Sequence, residues 1–258
     1  MYLVRYSEIA LKSEPVRRRW EDILITNIKK ALPDCKIRKE RGRIWLDGQV
    51  DPEKLKRVFG IVSFSEVEHC SLDELNSFII DYCHRKGLGQ AKTFALRLKR
   101  VGEHSFGSQE KTIELADLIL AEFKDLKVNL SAPEVTVHVE IRGLDCYLFT
   151  DSIKGPGGLP LGVEGTLVAL MSGGIDSPVA AWMMMKRGCK IIPVYVDLFG
   201  DESTLSRAKA VIEALKNYQP DIELMVVRDR FLEEANEKLD PGGRGDQAEE
   251  GIIHVELL

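Results

Sequence analysis

The sequence lacks the features that mark membrane, secreted and zinc-stabilised proteins. Its 258 residues include no apolar run near the roughly 20 residues that span a bilayer. The N-terminus has neither the basic nor the apolar segment of a secretory signal. None of the five cysteines forms a Cys-x-x-Cys pair, which argues against a disulfide framework and a thiolate zinc site. We therefore expect a cytoplasmic globular protein of several domains, with no membrane association and no resident metal site.

Charge is spread unevenly along the chain, although the net charge is only −5. Residues 1–60 carry 15 Lys and Arg against 9 Asp and Glu, whereas residues 151–258 carry 11 against 18. A basic N-terminal segment on an acidic chain is typical of a surface that faces a polyanion. A solvated helix face accounts for the same charges, and charge alone does not separate the two interpretations.

Residues 1–67 predict a small α+β domain. Tyr2–Tyr6 reads as a strand and Glu14–Leu32 as an amphipathic helix with Ser13 as its N-cap. Two short strands, a short helix and a further strand follow before residue 68. The resulting order βαββαβ is that of the ferredoxin-like fold.

Residues 68–154 predict a second domain, of α/β type. Helices are expected over Leu72–Lys86 and Ser108–Phe123, the latter with Ser108 as N-cap. Strands are expected over Thr93–Arg97 and on both sides of a turn at Gly143. The glycine- and proline-rich residues 155–165 then predict a linker between domains.

Residues 166–258 predict a Rossmann-like parallel sheet. The first strand, Leu167–Met171, is apolar throughout, and further apolar strands alternate with helices. Unbroken apolar strands indicate a sheet that is covered on both faces. A helix over Phe231–Leu239, a loop over residues 240–247 and a last strand within Ile252–Leu258 complete a domain that is short for its class.

The segment Ser172–Ser177, with the sequence Ser-Gly-Gly-Ile-Asp-Ser, lies between the first of these strands and the next helix. Glycines there let an anion approach backbone amides, while serine hydroxyls and the helix N-terminus add hydrogen-bond donors. The segment therefore predicts a phosphate-binding loop at the carboxyl edge of the sheet. It is neither a Walker A loop, which ends in Gly-Lys-Ser/Thr, nor a Gly-x-Gly-x-x-Gly dinucleotide motif.

This segment resembles the signature of the PP-loop ATP pyrophosphatases. Together with Pro156–Pro160 (Pro-Gly-Gly-Leu-Pro), it is similar to one family in that group, the tRNA 4-thiouridine synthetases or tRNA sulfurtransferases. Upstream, Thr93–Phe106 resembles the core of that family's THUMP domain, and Arg5–Ser13 resembles the start of its ferredoxin-like domain. The resemblance thus covers all three predicted domains in the family's order, and it implies a THUMP fold for residues 68–154 and a PP-loop fold for residues 166–258.

The resemblance implies an ATP-dependent, AMP-forming tRNA sulfurtransferase. Such an enzyme adenylates O4 of the uridine at position eight of tRNA, and a sulfur nucleophile then displaces AMP to leave 4-thiouridine. Asp176 is the implied catalytic residue, acting near the phosphates through Mg²⁺ or a water. The other implied ATP-binding residues belong to the loop and to two neighbouring strand ends: Leu170, Met171, Ser172, Gly173, Gly174, Ser177, Tyr195 and Val196. Implied contacts to tRNA come from Lys12, Arg17, Lys99, Arg100 and His104.

The sulfur donor is not identified by the sequence. We recognise no rhodanese-like domain, and no cysteine follows Cys189, which we expect to be structural. An external donor, either a persulfide carrier or sulfide, is therefore expected. The oligomeric state is not readable from the residues, and the resemblance suggests a homodimer.

Two other interpretations stay open at this point. A PP-loop enzyme that supplies sulfur for the thiazole of thiamine fits the loop. The THUMP-like stretch disfavours it, because such an enzyme needs no RNA-binding domain. An RNA-binding THUMP protein with an incomplete, inactive PP-loop domain fits the short third domain.

Overall fold

The computed structural model describes residues 1–6, 8–40, 42–197, 202–228 and 254–257. The helices and strands follow one another as β1 (Tyr2–Arg5), α1 (Glu14–Ala31), β2 (Lys36–Glu40), β3 (Arg43–Asp47), α2 (Pro52–Leu55), β4 (Ser63–Glu66), β5 (Glu68–Ser71), α3 (Leu75–Arg85), β6 (Thr93–Val101), α4 (Ser108–Glu122), β7 (Lys127–Val128), β8 (Val135–Arg142), β9 (Asp145–Phe149), β10 (Ile153–Lys154), β11 (Thr166–Leu170), α5 (Asp176–Lys186), β12 (Lys190–Asp197), α6 (Glu202–Leu215), β13 (Met225–Arg228) and β14 (His254–Leu257).

The chain divides into two compact units. The first unit comprises Met1–Arg5, Cys35–Val50 and Ser63–Lys154, and the second comprises Tyr6–Asp34, Asp51–Val62 and Gly155–Leu258. Among the described residues, no helix combines the length and the apolar character that a bilayer crossing requires.

The first unit contains an antiparallel sheet with strand order β10-β4-β1-β3-β2. Strand β1 is central, and its Val4 pairs with Ile44 of β3 on one side and Phe64 of β4 on the other. With α1 and α2, strands β1 to β4 follow the chain order βαββαβ, so the ferredoxin-like prediction is confirmed. The sequence did not predict β10, because a strand of two residues has no alternation to detect.

A second sheet in the first unit has the order β5-β9-β8-β6-β7, and α3 and α4 share its apolar core. Strand β6 continues to Val101, four residues beyond the predicted end at Arg97. The predicted N-cap Ser108 is wrong: the cap is Gly107, whose backbone N–H donates to the Glu110 carboxylate at 3.2 Å. All five cysteines of the chain are buried and free of disulfides.

The second unit is built around a sheet with the order β11-β12-β13-β14. Strands β11, β12 and β13 are parallel, which confirms the predicted Rossmann-like sheet, and β14 pairs antiparallel to β13. Helices α1 and α2 belong to this unit as well. Phe59, which follows α2, lies in the unit's core with its ring 5.3 Å from that of Tyr218 and 5.5 Å from that of Trp182.

The prediction that β11 is covered on both faces is wrong for the described structure. Val168 is 65% exposed and Leu170 is 69% exposed, whereas Met171 just beyond them is buried. The physical reason is position: within the described residues β11 is an edge strand that pairs only with β12. The predicted helix over Phe231–Leu239 and the loop over residues 240–247 lie outside the described residues.

Residues 155–165, predicted as a linker, are closely packed within the second unit. The Leu159 N–H donates to the Lys186 carbonyl at 2.9 Å, and the Gly162 N–H donates to the Gly188 carbonyl at 2.8 Å. Leu159 and Leu161 are buried. This segment therefore fixes the C-terminal end of α5, and with it the helix that begins at the predicted phosphate loop.

Candidate functional site

The predicted phosphate loop joins the end of β11 to the start of α5, in the second unit. Its two serines lie together, with 3.2 Å between the Ser172 and Ser177 hydroxyl oxygens. The Ser172 N–H donates to the Ser177 hydroxyl at 3.1 Å, and the Gly174 N–H lies 3.4 Å from the Ser172 hydroxyl. Ser172, Gly174 and Asp176 are exposed, and Ile175 is 77% exposed. The loop is thus folded by its own hydroxyls and open on its outer side.

The two loop glycines lack a side chain for different structural reasons. A β-carbon at Gly173 would lie 2.8 Å from Thr204 Cγ2 and 3.0 Å from Arg207 Nε, both on α6. A β-carbon at Gly174 would meet only the Ser172 hydroxyl, at 3.5 Å. Gly173 therefore permits the approach of α6, whereas the space beside Gly174 is open to a ligand.

Arg207 is a residue of this site that the sequence analysis missed. Its guanidinium lies over the loop at Gly173 and donates to the Thr204 hydroxyl at 2.8 Å and to the Ser203 hydroxyl at 3.1 Å. A guanidinium in this position can supply the kind of positive charge that Walker A loops take from their lysine. No local signal points to it, because 30 or more residues separate it from the loop and only the fold joins them.

The remaining predicted ATP-binding residues, at the ends of β11 and β12, differ in their burial. Leu170 and Val196 are exposed, whereas Met171 and Tyr195 are buried in the core of the second unit. The Met171 N–H donates to the Val194 carbonyl at 2.7 Å, so the ends of β11 and β12 are held side by side. A charged residue at the end of β12 predicts a side chain that faces the site, but the carboxylate of Asp197 is buried and lies 3.5 Å from Arg228 Nε in an ion pair.

This arrangement can bind a polyphosphate. Two serine hydroxyls and the N-terminus of α5, which has no side-chain cap, converge at the carboxyl edge of a parallel sheet, where such folds bind anions. Asp176 begins α5 beside them as an exposed carboxylate. Within the part of the chain that the structure describes, no three His, Cys, Asp or Glu side chains are grouped closely enough to hold a metal by themselves. A single carboxylate is still a suitable ligand for Mg²⁺ that arrives with phosphates.

The predicted RNA-binding residues of the first unit differ in whether their side chains contact the protein's own backbone. Lys99 is exposed on β6. Arg100 Nη1 lies 3.4 Å from the His104 carbonyl, and the His104 ring nitrogen Nε2 lies 2.8 Å from the Gly143 carbonyl. Arg100 and His104 therefore hold the turn after β6, and of the three only Lys99 has a side chain that is free to reach outward.

Lys99 lines a cationic pocket of about 250 Å³ in the first unit, which we call the arginine pocket. The pocket is also lined by Arg5, Arg43, Arg97 and His138, none of which was predicted from the sequence. They come from four different strands, β1, β3, β6 and β8, so no sequence window contains them together.

One carboxylate, Glu140, lines the arginine pocket among these bases. Burial alone would raise the pKa of Glu140, but the ion pairs with Arg43 and Arg142 bring it below its ordinary value. Burial lowers the pKa of Arg5 to about 10, and Arg5 Nη2 is a buried donor without a hydrogen-bond partner. Because one carboxylate, Glu140, faces Arg5, Arg43, Arg97 and Lys99 in the lining, the pocket carries a surplus of positive charge and is suited to an anion.

The two predicted RNA-binding residues of the second unit differ in how exposed they are. Lys12 is exposed, with its ammonium 4.7 Å from the centre of the Trp20 ring. Arg17 is only 17% exposed and lies 3.7 Å from the Glu21 carboxylate. Lys12 is thus available to a ligand, whereas Arg17 is largely occupied within α1.

Comparisons with known proteins agree with this architecture. Family models match as the ThiI ferredoxin-like domain over residues 1–65, the THUMP domain over residues 70–151 and the thiamine biosynthesis protein ThiI over residues 162–245. A probable tRNA sulfurtransferase of Methanothermobacter thermautotrophicus is 39% identical over 86% of this chain. The crystal structure of PH1313 from Pyrococcus horikoshii is 31% identical, with a TM-score of 0.76 over 87% of this chain and 77% of that chain. The chain belongs to the tRNA sulfurtransferase family.

Other members of the family extend the comparison. A crystal structure of a 4-thiouridine synthetase in complex with RNA and with bound ATP is 32% identical, with a TM-score of 0.76 over 92% of this chain. The tRNA sulfurtransferase of Pyrobaculum aerophilum is 38% identical over 83% of this chain. The chain spans 59% of the Methanothermobacter relative, 45% of the Pyrobaculum relative and 63% of the RNA-bound synthetase.

Proposed function

We propose that this protein uses ATP to thiolate tRNA, converting the uridine at position eight to 4-thiouridine with release of AMP and pyrophosphate. The observation that carries the proposal is the open loop Ser172–Ser177 with Arg207 over it, at the carboxyl edge of the parallel sheet. Its likeness to a 4-thiouridine synthetase that binds ATP supports the same assignment.

In this proposal each part of the loop has a separate task. The hydroxyls of Ser172 and Ser177, together with the N-terminus of α5, which has no side-chain cap, hold the β- and γ-phosphates. Arg207 neutralises the charge that develops on departing pyrophosphate. Asp176 orients Mg²⁺ or a water on the phosphates, and the exposed ends of β11 and β12 at Leu170 and Val196 border the adenosine.

A further part of the proposal concerns the sulfur donor, the oligomeric state and the cellular role. All five cysteines of the chain are buried, so none presents a thiol at the loop surface. We propose that the sulfur that displaces AMP from the uridine comes from a persulfide carrier or from sulfide. A homodimer, a cytoplasmic location and a role in thiamine biosynthesis stay predictions.

The test is a reconstituted reaction with ATP labelled at its α-phosphate, Mg²⁺, sulfide and unmodified tRNA. The proposal predicts labelled AMP and 4-thiouridine at position eight, detected by nuclease digestion and mass spectrometry. Binding of tRNA without AMP would instead favour the inactive RNA-binding interpretation. AMP formed equally well without RNA would favour a small-molecule substrate.

We also propose that the arginine pocket binds a tRNA phosphate. Replacing Arg97 and Lys99 together with glutamine should weaken tRNA binding by about 10-fold in low salt and reduce the salt dependence by about one phosphate contact, since both charges line this one pocket. Filter binding across a series of salt concentrations measures both effects. The matched control replaces Lys124 and Lys127 with glutamine, because these exposed lysines lie in the same unit but outside the pocket. An equal loss in the control would show general attraction rather than a site.

A further inference from the structure

A second cationic pocket, of about 270 Å³, lies in the second unit and takes no part in the proposed reaction. Four basic side chains line it: Lys30 of α1, Lys54 of α2, Arg57 just after α2, and Lys190 at the start of β12. We call it the lysine pocket. Its volume is close to the lower limit of roughly 300 Å³ for pockets that bind small organic ligands.

The charges of the lysine pocket are poorly balanced by the protein. Asp221 is the one acidic side chain among its lining residues, and it is shared by Lys30 at 3.2 Å and Lys190 at 3.8 Å. The Arg57 guanidinium hydrogen-bonds to the neutral Asn217 side chain. Four positive groups against one carboxylate leave a net charge of +3 on a chain whose total charge is −5. Such a concentration of one sign in a concave site attracts anions.

The floor of the lysine pocket is apolar and aromatic. Val58, Phe59 and Leu161 are buried beneath it, and the half-buried ring of Tyr218 stacks on Phe59 with 23° between the ring planes. A flat apolar surface below a cationic rim accommodates a ring that carries a phosphate better than it accommodates a bare hydrated ion.

The lysine pocket is separate from the phosphate loop. Lys190 begins β12, whereas the loop follows the far end of β11, which runs parallel to β12 in register. Leu170, at the end of β11, pairs with Val194, so the strand end that leads into the loop lies four residues, or about 13 Å, along the sheet from Lys190. No residue of the loop Ser172–Ser177 lines the lysine pocket, so the pocket is a site of its own.

We propose that the lysine pocket binds a nucleoside monophosphate unit, with the phosphate on the basic rim and the base over Tyr218. Two sources carry this chemistry, a free mononucleotide such as AMP and a nucleotide of an RNA strand. The proposal stands beside the proposed function and does not depend on it, because it uses none of the residues of the phosphate loop.

Equilibrium dialysis of the whole chain tests the proposal with three probes: labelled AMP, inorganic phosphate as competitor, and a short single-stranded RNA. We expect two AMP sites per chain, one at the loop and one in the lysine pocket. Replacing Lys54 and Arg57 together with glutamine should weaken the second site by about 10-fold or more, since each lost charged hydrogen bond contributes on that scale. The first site should be unchanged, and circular dichroism checks the fold.

The matched control replaces Lys29 and Lys56 with glutamine, because these exposed lysines lie on or beside the same helices but outside the pocket. Competition by inorganic phosphate identifies the phosphate as the recognised group. If the wild-type chain binds AMP only at the loop, and RNA binding is lost only in the Lys54 and Arg57 variant, the pocket is assigned to an RNA nucleotide. If the wild-type chain binds AMP only at the loop and the variant binds RNA as the wild type does, the proposal is overturned, as it is by equal losses in the control.

Discussion

Replacing Asp176 with asparagine is expected to lower AMP formation by about 100-fold or more while leaving tRNA affinity nearly unchanged. Asp176 is an exposed carboxylate in the first turn of α5, directly after the serines and glycines of the phosphate loop. Asparagine keeps the shape of the side chain and removes the charge that would orient Mg²⁺ or a water. Because Asp176 carries no positive charge and lies outside the arginine pocket, its loss should not weaken the hold on RNA.

The control for this prediction is Glu213→Gln. Glu213 is an exposed carboxylate on α6 whose partner is Lys216, so its replacement removes one negative charge from the same unit away from the loop. Its AMP formation should stay within about two-fold of wild type, as expected for an exposed pair. A similar loss of activity in both variants, or a large loss of tRNA affinity with Asp176→Asn, would contradict the assigned role.

Replacing Gly158 with alanine should destabilise the second unit by about 3 to 5 kcal/mol, combining left-handed backbone strain with overpacking. Gly158 has φ +72°, and a β-carbon there would lie well inside contact distance of the Lys186 carbonyl oxygen. That carbonyl accepts the Leu159 N–H and belongs to the last residue of α5. Neither residue 158 nor Lys186 can therefore move away without breaking the hydrogen bond between Leu159 and Lys186. Urea denaturation followed by circular dichroism measures the change.

Gly157→Ala separates the two causes in this prediction. Gly157 has φ +68°, nearly the same backbone conformation, but a β-carbon there meets no atom within 4 Å. It should cost only the backbone strain, about 1 to 2 kcal/mol. If the two variants proved equally stable, the close approach to Lys186 would have no energetic importance, and residues 155–165 would behave as the linker that the sequence predicts.

The sequence revealed the parts of the site that are contiguous and concealed those that are assembled by the fold. Ser172–Ser177 was found because its hydroxyls, glycines and helix start lie within six residues. Arg207 reaches the same loop from α6, and the arginine pocket draws Arg5, Arg43 and Arg97 from three strands. Pairings of this kind depend on sheet order, which hydrophobic periodicity does not specify.

Burial was predicted less well than strand position. The apolar run Leu167–Met171 does form a strand, β11, but its residues were expected to be covered on both faces. Hydrophobicity indicates which side chains favour burial. Whether the side chains of β11 are buried depends on which elements pack beside that strand. Similarly, Asp197 occupies the predicted strand end, but its carboxylate is buried and pairs with Arg228 of the adjacent strand.

The most direct test of the account is to identify the bond of ATP that is broken and to ask whether breakage requires RNA. With ATP labelled at the α-phosphate, the account predicts that the label appears in AMP, with pyrophosphate in equal amount, and only when unmodified tRNA is present. Label recovered in ADP would mean that the loop Ser172–Ser177 transfers the terminal phosphate instead, which would contradict the assignment of this loop as an adenylating site.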